Sequence, residues 1–167
     1  MSKPLVSILM GSDSDFTIME EASKVLDQFN VPHEVLVTSA HRSPERTRKY
    51  VQGAKRRGIQ VMIAGAGGAA HLAGVVAAET NLPVIGVPIA STPLNGLDSL
   101  LSTAQMPGGV PVAAVSIGKP GAQNAGLLAV QILALSDKNL SDRLVKHKKD
   151  QAKAVAQKSK KLNTSHV

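Results

Sequence analysis

Short apolar runs and amphipathic helical patterns alternate along this chain, and this alternation restricts the fold more than any other feature of the sequence. The first apolar run, at residues 5–10, is almost continuous, as expected for a strand buried on both faces of a parallel sheet. Apolar residues at helical spacing follow over residues 16–29. Such alternation is typical of βαβ units joined by right-handed crossovers.

The rest of the chain repeats the same order, strand and then helix. Ser43 is placed to cap the helix after the second strand, and Gly58 is placed to end it. We predict a single α/β domain over 1–167, with a core at 1–137 and a basic C-terminal helix and tail at 138–167. Its fold class is a three-layer α/β/α sandwich with a parallel, flavodoxin-like sheet and a C-terminal helix extension. The further strands are predicted at residues 33–37, 61–64, 83–87 and 112–117, and the helices at residues 44–57, 71–80, 96–105, 124–135 and from 138 to about 160.

The net charge of +7 resides entirely in the C-terminal part of the chain. Residues 1–137 contain ten basic and ten acidic side chains, whereas residues 138–167 contain nine basic and two acidic ones. Basic residues concentrated in a terminal helix are typical of a solvated face. With aromatic residues at only 2% of the chain, there is little with which to stack nucleic-acid bases. We therefore expect no nucleic-acid partner.

The composition also limits the compartment and the metal chemistry. The chain has no Cys, which excludes disulfides, thiolate zinc sites and Cys nucleophiles. No apolar run reaches 18 residues, and the chain enters its first strand directly after Met1-Ser2-Lys3-Pro4. We therefore expect no membrane span and no signal peptide, and a cytoplasmic location.

The turn after the second strand carries the largest set of reactive side chains. Ser39, His41 and Arg42 occur within four residues, at the carboxyl edge where α/β sheets bind ligands. The guanidinium suits a phosphate or a carboxylate, and the imidazole exchanges a proton near neutral pH. In the alternative interpretation, Arg42 pairs with a neighbouring acid and His41 merely fills the loop.

The turn after the first strand places hydroxyls and acids at the start of a helix. Ser12, Ser14 and Asp15 lie there, where free N–H groups favour an anion. The alternative is a capping turn in which Ser14 or Asp13 caps the helix and the other polar side chains are solvated.

Residues 13–17 of this turn, Asp-Ser-Asp-Phe-Thr, also resemble the Asp-x-Asp-x-Thr motif of haloacid-dehalogenase-type phosphatases. Those enzymes use an Asp nucleophile with magnesium. The match is weak, because Gly11 and Ser12 separate the strand from the first acid. Downstream, Asp98 stands alone where an acidic pair would be needed to hold the metal.

Small residues follow the third strand. Residues 65–70 contain no side chain larger than a methyl group, and His71 comes directly after them. Ala66 and Gly67 belong to this stretch, which allows close approach of a ligand and favours a slot for a flat ring. It matches neither a Walker loop nor a dinucleotide fingerprint, and the alternative is tight packing against a helix or subunit. Residues 88–97, with two prolines and two hydroxyls, predict a loop with a defined shape.

Taken in order and at these spacings, the four turns resemble the bacterial-type N5-carboxyaminoimidazole ribonucleotide mutases, class I of the phosphoribosylaminoimidazole carboxylase catalytic-subunit family. The resemblance covers residues 5–144. Its small-residue turn resembles the mutase class rather than the related class that takes free CO2. Ser43 stands where the family commonly has Thr, and Ala73 where it commonly has Pro. The motifs are residues 10–15, 39–42, 64–72, 98–102 and 105–107.

This resemblance implies an isomerase of de novo purine biosynthesis that moves a carboxylate from the exocyclic amine of an aminoimidazole ribonucleotide to carbon 4 of its ring. His41 would protonate the carbamate nitrogen, CO2 would stay trapped in a water-excluding pocket, and carbon 4 would capture it. His71 would hold the carboxylate or CO2. No metal, ATP or other cofactor is implied. The implied substrate-binding residues are Ser12, Ser14, Asp15, Ser39, Arg42, Ala66 and Gly67.

The resemblance also implies partners. The ligand is a small ribonucleotide, family members form homo-octamers, and functional coupling to the carbamate-forming synthetase of the same pathway is implied. A non-catalytic ligand-binding or receiver-like module on the same sheet is the alternative, because a fold does not fix a function. Receivers gather acids around a metal at this edge, whereas this chain offers hydroxyls, His and Arg.

Overall fold

The computed structural model describes residues 3–164, which fold into five strands and seven α-helices. The strands are β1 (Val6–Met10), β2 (His33–Val37), β3 (Val61–Gly67), β4 (Val84–Ile89) and β5 (Ala113–Ala114). The helices are α1 (Phe16–Gln28), α2 (Pro44–Gln52), α3 (Ala54–Arg57), α4 (Leu72–Ala78), α5 (Leu97–Ala104), α6 (Lys119–Leu133) and α7 (Lys138–Thr164), and a short 3-10 helix (Asp13–Asp15) precedes α1.

All strand pairs are parallel, in the order β2-β1-β3-β4-β5. This order confirms the predicted flavodoxin-like sheet. Met10, the last residue of β1, pairs with Val37 of β2 and with Gly65 of β3. The loops that follow these three strands therefore leave the sheet at neighbouring points on one edge.

Helices cover both faces of the sheet, as the three-layer prediction requires. On one face, β1 and β3 pack against α1 and α6 through a core that includes Met19 and Ala125. On the other face they pack against α2, α3 and α4 through a core that includes Val51 and Val76. α5 lies on this second face, because Thr103 and Ala73 both border Gly86 of β4.

Several predicted boundaries are wrong, each for a local reason. The helix predicted at residues 44–57 is divided at Gly53 into α2 and α3, although Gly58 (φ 103°) ends it as expected. Ser43 precedes α2, but its side chain makes no capping hydrogen bond to the helix. β5 has two residues rather than the predicted six, because it is an edge strand that pairs only with β4.

Two other elements are longer than the sequence pattern indicates. β3 continues beyond the predicted residue 64 because its pairing with β4 extends to Gly67 opposite Ile89. α6 begins at Lys119, before the predicted residue 124, since Gly118 precedes it and Pro120 fits the first turn. α7 continues to Thr164 rather than fraying near residue 160, and residues 165–167 lie outside the described part of the chain. Within residues 3–164, no helix is both long and apolar enough to cross a membrane.

A chain of polar side chains crosses the second face between β1, β2 and α2. The Tyr50 hydroxyl contacts the carboxylate of Glu34 and lies 2.6 Å from Oγ of Ser7, whose side chain is fully buried. Burial, and then the contact with Glu34, raise the pKa of Tyr50 to about 12. The phenol therefore keeps its proton and donates a hydrogen bond to Glu34. The Ser7 hydroxyl in turn donates a hydrogen bond to the phenol oxygen. Arg57 lies over the Tyr50 ring, 4.1 Å from its centroid.

This arrangement predicts that Tyr50→Phe destabilises the fold. The substitution leaves the buried Ser7 hydroxyl without its acceptor, which costs about 1–3 kcal/mol. Urea unfolding of wild type, Tyr50→Phe, Ser7→Ala and the double variant measures the cost. We expect the double variant to lose less stability than the two single losses added together, because it leaves no hydroxyl unpaired. Simple additivity would contradict the proposed hydrogen bond.

Candidate functional site

The carboxyl ends of β1, β2, β3 and β4 form one edge of a cavity of about 470 Å³. α1, which follows β1, covers one face of the sheet, whereas α4, which follows β3, covers the other. The loops after β1 and β3 therefore turn toward opposite faces of the sheet and leave a crevice between them, which is where open α/β sheets bind ligands. All nine residues predicted for the site line the cavity: Ser12, Ser14, Asp15, Ser39, His41, Arg42, Ala66, Gly67 and His71.

The turn after β1 is held by a reciprocal cap. The backbone N–H of Ser12 donates to Oδ2 of Asp15 over 3.1 Å, and Oγ of Ser12 accepts from the N–H of Ser14 over 3.4 Å. The capping residue is therefore Ser12, and the expectation that Ser14 or Asp13 caps is wrong. The Ser14 hydroxyl donates to Oγ of Ser12 over 2.9 Å, so the two hydroxyls lie side by side at the cavity wall.

Asp15 is a buried carboxylate whose hydrogen bonds come from main-chain N–H groups. Burial raises its pKa above the ordinary value of 3.8, backbone hydrogen bonds from Ser12 and Gly11 lower it, and the charge of Asp13 raises it. Within residues 3–164 no Lys or Arg forms an ion pair with Asp15. The carboxylate thus lies at the cavity wall as a hydrogen-bond acceptor.

Arg42 is held by oxygen atoms that carry no formal charge. Its Nη2 donates to the carbonyl of Gly11 over 3.2 Å, and its Nε lies 3.5 Å from Oγ of Ser39. The backbone N–H of Arg42 also donates to that hydroxyl over 3.2 Å. The alternative in which Arg42 pairs with a neighbouring acid is wrong for the described residues, where Arg42 forms no ion pair. Its charge is available to an anionic ligand.

The two histidines predicted from separate turns meet in space. Nε2 of His41 lies 2.8 Å from Nδ1 of His71, and the rings are edge to face with their centroids 4.9 Å apart. His71 lies just before α4 rather than inside a helix. In such a contact one nitrogen donates and the other accepts, so the proton positions of the two rings are linked. Both rings are exposed to the cavity in the isolated chain.

The floor of the cavity is main chain rather than side chain. Gly67 lines the cavity, and a methyl group at this position would lie 2.0 Å from Oγ of Ser91. A larger residue at position 67 would therefore have to displace the Ser91 side chain. Ala66 precedes Gly67 and contributes only a methyl group, so a flat ring can approach the backbone closely.

The cavity also has lining residues that sequence analysis did not single out. Ser91 is the polar one among them, and it lies in the loop over residues 88–97, whose composition indicated a defined shape. Nothing in the local pattern distinguishes its hydroxyl from that of Thr92, because the difference depends on packing against Gly67. The others contribute backbone or apolar surface: Gly11, Ala40, Ala69 and Leu72.

Three larger cavities, of about 770, 740 and 720 Å³, lie elsewhere on the described part of the chain. None of them is formed by the loops at the carboxyl edge of the sheet. The cavity of about 470 Å³ is the better candidate, because two histidines converge there with a cation and a buried carboxylate.

The magnesium-phosphatase alternative finds little support in this geometry. Asp13 is exposed, and its carboxylate accepts from the backbone N–H of Ser14 over 3.0 Å. Across residues 3–164, no group of three His, Asp or Glu side chains could hold a metal ion.

The fold and the cavity together define a doubly wound α/β protein whose candidate site lies at the switch point of its sheet. Residues 5–154 match the sequence model of the family described as AIR carboxylase. The chain belongs to this family.

Curated relatives extend the comparison over nearly the whole chain. An N5-carboxyaminoimidazole ribonucleotide mutase of Bacillus subtilis is 56% identical over 160 residues, which cover 96% of this chain and 99% of the relative. The protein of that name from Pyrococcus horikoshii is 54% identical, with 96% and 89% covered. A crystal structure of Treponema denticola PurE superposes with a TM-score of 0.85 at 29% identity, over 95% of this chain and 98% of that one.

The raised pKa of Asp15 predicts a pH-dependent cost to stability. The folded pKa lies above the ordinary value of 3.8, so between these two values the folded state binds more protons than the unfolded state. Stability therefore falls as the pH rises through this window. Asp15→Asn keeps an acceptor oxygen for Ser12 and does not titrate. Urea unfolding of both proteins from pH 3 to 7 should show wild type losing stability relative to Asp15→Asn and then levelling off. A parallel pH dependence in both proteins would contradict the raised pKa.

Proposed function

We propose that this chain catalyses the isomerisation of N5-carboxyaminoimidazole ribonucleotide to 4-carboxy-5-aminoimidazole ribonucleotide, a step of de novo purine biosynthesis. Family membership and the names of relatives at 54–56% identity support the isomerase activity. The single observation that carries the chemistry is the contact between His41 and His71 beside a floor of backbone.

Three groups at one end of the cavity suit the ribose 5-phosphate of the substrate. Arg42 offers a charge-assisted contact to the phosphate, and its guanidinium already lies at the wall of the cavity. Asp15 accepts from ribose hydroxyls. The hydroxyls of Ser12, Ser14 and Ser39 lie on the same wall and provide further donors. The imidazole ring of the substrate then lies over Ala66 and Gly67.

His41 acts in this proposal as the acid and then as the base. Its imidazolium form gives a proton to the carbamate nitrogen, the bond between nitrogen and the carboxyl carbon breaks, and CO2 leaves with the nitrogen holding the new proton. The ring's carbon 4 then attacks CO2, and the new bond forms with electrons from the aminoimidazole. Neutral His41 removes the proton left on carbon 4, which restores the imidazolium form and balances the cycle.

His71 holds the carboxylate or the released CO2 in this proposal. Its position supports the role, because it lies within hydrogen-bond distance of His41 and borders the small-residue floor. The chemistry needs only proton transfer and CO2 retention, so neither metal nor ATP has a part in it.

Assembly as a homo-octamer completes the proposal. The resemblance to the family implies it, and an apolar stripe on α5 and the loop before it supports it. Leu94, Leu97 and Leu101 are 60%, 54% and 48% exposed. Leu97 and Leu101, four residues apart, lie on one side of α5, and Leu94 lies in the loop just before it. Assembly would also shield His41 and His71 from water, as retention of CO2 requires. A cytoplasmic location, expected from the sequence, and coupling to the carbamate-forming synthetase, implied by the resemblance, are further parts of the proposal.

The proposed reaction is tested by supplying the carbamate substrate with a labelled carboxylate and no ATP. Wild type should place the label on carbon 4, and His41→Asn should lower turnover by about 10²–10⁴-fold, as expected on loss of a general acid and base. The Asn side chain is similar in size but does not shuttle a proton at neutral pH. Labelled product formed only from added bicarbonate would favour a carboxylase instead. Near-normal turnover by His41→Asn would show that His41 is not the proton donor and acceptor, and His71 would become the candidate for that role.

Arg42→Ala is the matched comparison for His41→Asn, because it changes the neighbouring residue with a different assigned task. Its contact with phosphate exists in the ground state and the transition state alike. Removing it should therefore raise KM and weaken product binding with a small effect on kcat. His41→Asn should show the reverse, with product affinity retained.

The apolar stripe predicts the surface on which assembly depends. Leu97→Glu places a charge there, and an acid at the first position of a helix is compatible with its dipole. Light scattering should show smaller particles than wild type, with an unchanged helical signal. Leu135→Lys is the control, since Leu135 is 88% exposed in the turn before α7, away from the stripe. An octamer retained by Leu97→Glu would exclude this surface.

A further inference from the structure

The hydroxyl of Ser91 has no assigned task, although it forms part of the cavity wall. Among the described residues it makes no hydrogen bond, and the side chain is exposed. Its position is nevertheless well defined, because Oγ stands where a methyl group on Gly67 would be, 2.0 Å from it. The hydroxyl thus borders the end of the floor that is farthest from Arg42 in the order of the strands.

The loop that carries Ser91 is pinned at both ends. The buried Ser99 hydroxyl lies 3.0 Å from the carbonyl of Ile89 and 2.9 Å from that of Gly96, and it can donate to either. The Thr92 hydroxyl donates to Oδ2 of Asp98 over 2.6 Å. A hydroxyl held this way loses little freedom when it binds a ligand, which makes its contacts more favourable.

The strand order sets the direction in which the substrate lies. Arg42 follows β2 and reaches the carbonyl of Gly11 after β1, whereas Ser91 follows β4, with β3 between. The distance from β1 to β4 across the sheet is two strand spacings, or about 10 Å. The cavity is therefore a trough with a cation at one end and a neutral hydroxyl at the other. A ribonucleotide with its phosphate at Arg42 directs its base toward Ser91.

We infer that Ser91 is a substrate-binding residue whose hydroxyl donates a hydrogen bond to the edge of the imidazole ring opposite the ribose. This inference rests on the proposed function. That edge carries a ring nitrogen without hydrogen, which accepts a hydrogen bond, beside the carbon that receives the carboxylate. The hydrogen bond fixes the rotation of the ring over Ala66 and Gly67, and carbon 4 then faces the CO2 released beside His71.

The inference predicts a leak of CO2 when the hydroxyl is removed. Ser91→Ala should weaken binding of the 4-carboxy product by about 3- to 10-fold, the range for a neutral hydrogen bond. A ring free to rotate also recaptures CO2 less often. The variant should therefore release more labelled CO2 per product formed than wild type, after subtraction of the breakdown of the substrate without enzyme.

The experiment compares Ser91→Ala with Ser91→Thr, which restores a hydroxyl, and with Ser136→Ala, a serine in the turn before α7. Product binding by calorimetry, CO2 release and the thermal unfolding midpoint are measured for each. We expect Ser136→Ala to match wild type. Ser91→Thr should recover part of the lost product affinity and release less CO2 per product formed than Ser91→Ala. Unfolding midpoints should be the same, since the Ser91 hydroxyl has no hydrogen-bond partner among residues 3–164 to lose.

The outcomes separate this inference from the proposed function. If wild type converts the substrate and Ser91→Ala binds product and retains CO2 equally well, the inference fails and the function stands. If wild type neither converts the carbamate nor binds the product, the proposed function fails and the inference fails with it. A lower unfolding midpoint for Ser91→Ala, with affinity loss in proportion, would assign Ser91 a structural role instead.

Discussion

The parallel pairing of β1 with both β2 and β3 is the constraint on which the site depends. Met10 pairs with Val37 on one side and Gly65 on the other, so β1 and β2 end level with each other and β3 ends two residues further on, at the same edge of the sheet. The crossovers between the strands run on opposite faces of the sheet, which leaves a crevice between the loops. A slip of one residue in either pairing would turn every side chain of that strand to the other face. The core and the site are therefore specified by the same register.

The site is polarised along the sheet. At the β1 and β2 end, Arg42 is held by a carbonyl and a hydroxyl, and Asp15 is buried against backbone N–H groups. Neither charge neutralises the other by a direct ion pair, so both are available to a ligand that carries an anion and hydroxyls. The centre holds two linked imidazoles. Toward β4 the wall becomes neutral. A ligand with a phosphate, a sugar and a small ring satisfies this order of groups.

The sequence was sufficient to predict the elements and the turns, because burial on both faces of a parallel sheet leaves continuous apolar runs. It predicted the first four strands with errors only at their ends, and the nine candidate residues lie in one cavity. It failed where tertiary contacts decide the outcome. The length of β5 depends on how far β4 offers it partners.

The same limit applies within the site. Histidines and arginines are conspicuous in a turn, because few structural roles require them there. A loop serine is not, and Ser91 became distinguishable only through its approach to Gly67. The contact between His41 and His71 is likewise a property of the folded chain, since thirty residues separate them in sequence.

The glycine floor has a consequence for how this site can diverge. At Gly67 the surface offered to a ligand is peptide, and the peptide group has the same chemistry whatever the sequence. Any side chain added there meets Ser91, so a substitution at Gly67 also displaces another residue of the cavity wall. New ligand preferences in chains with this architecture are therefore expected to arise from the loops around the floor. The backbone at the end of the central strands stays constant among such chains, and the side chains of the surrounding loops are the part that can vary.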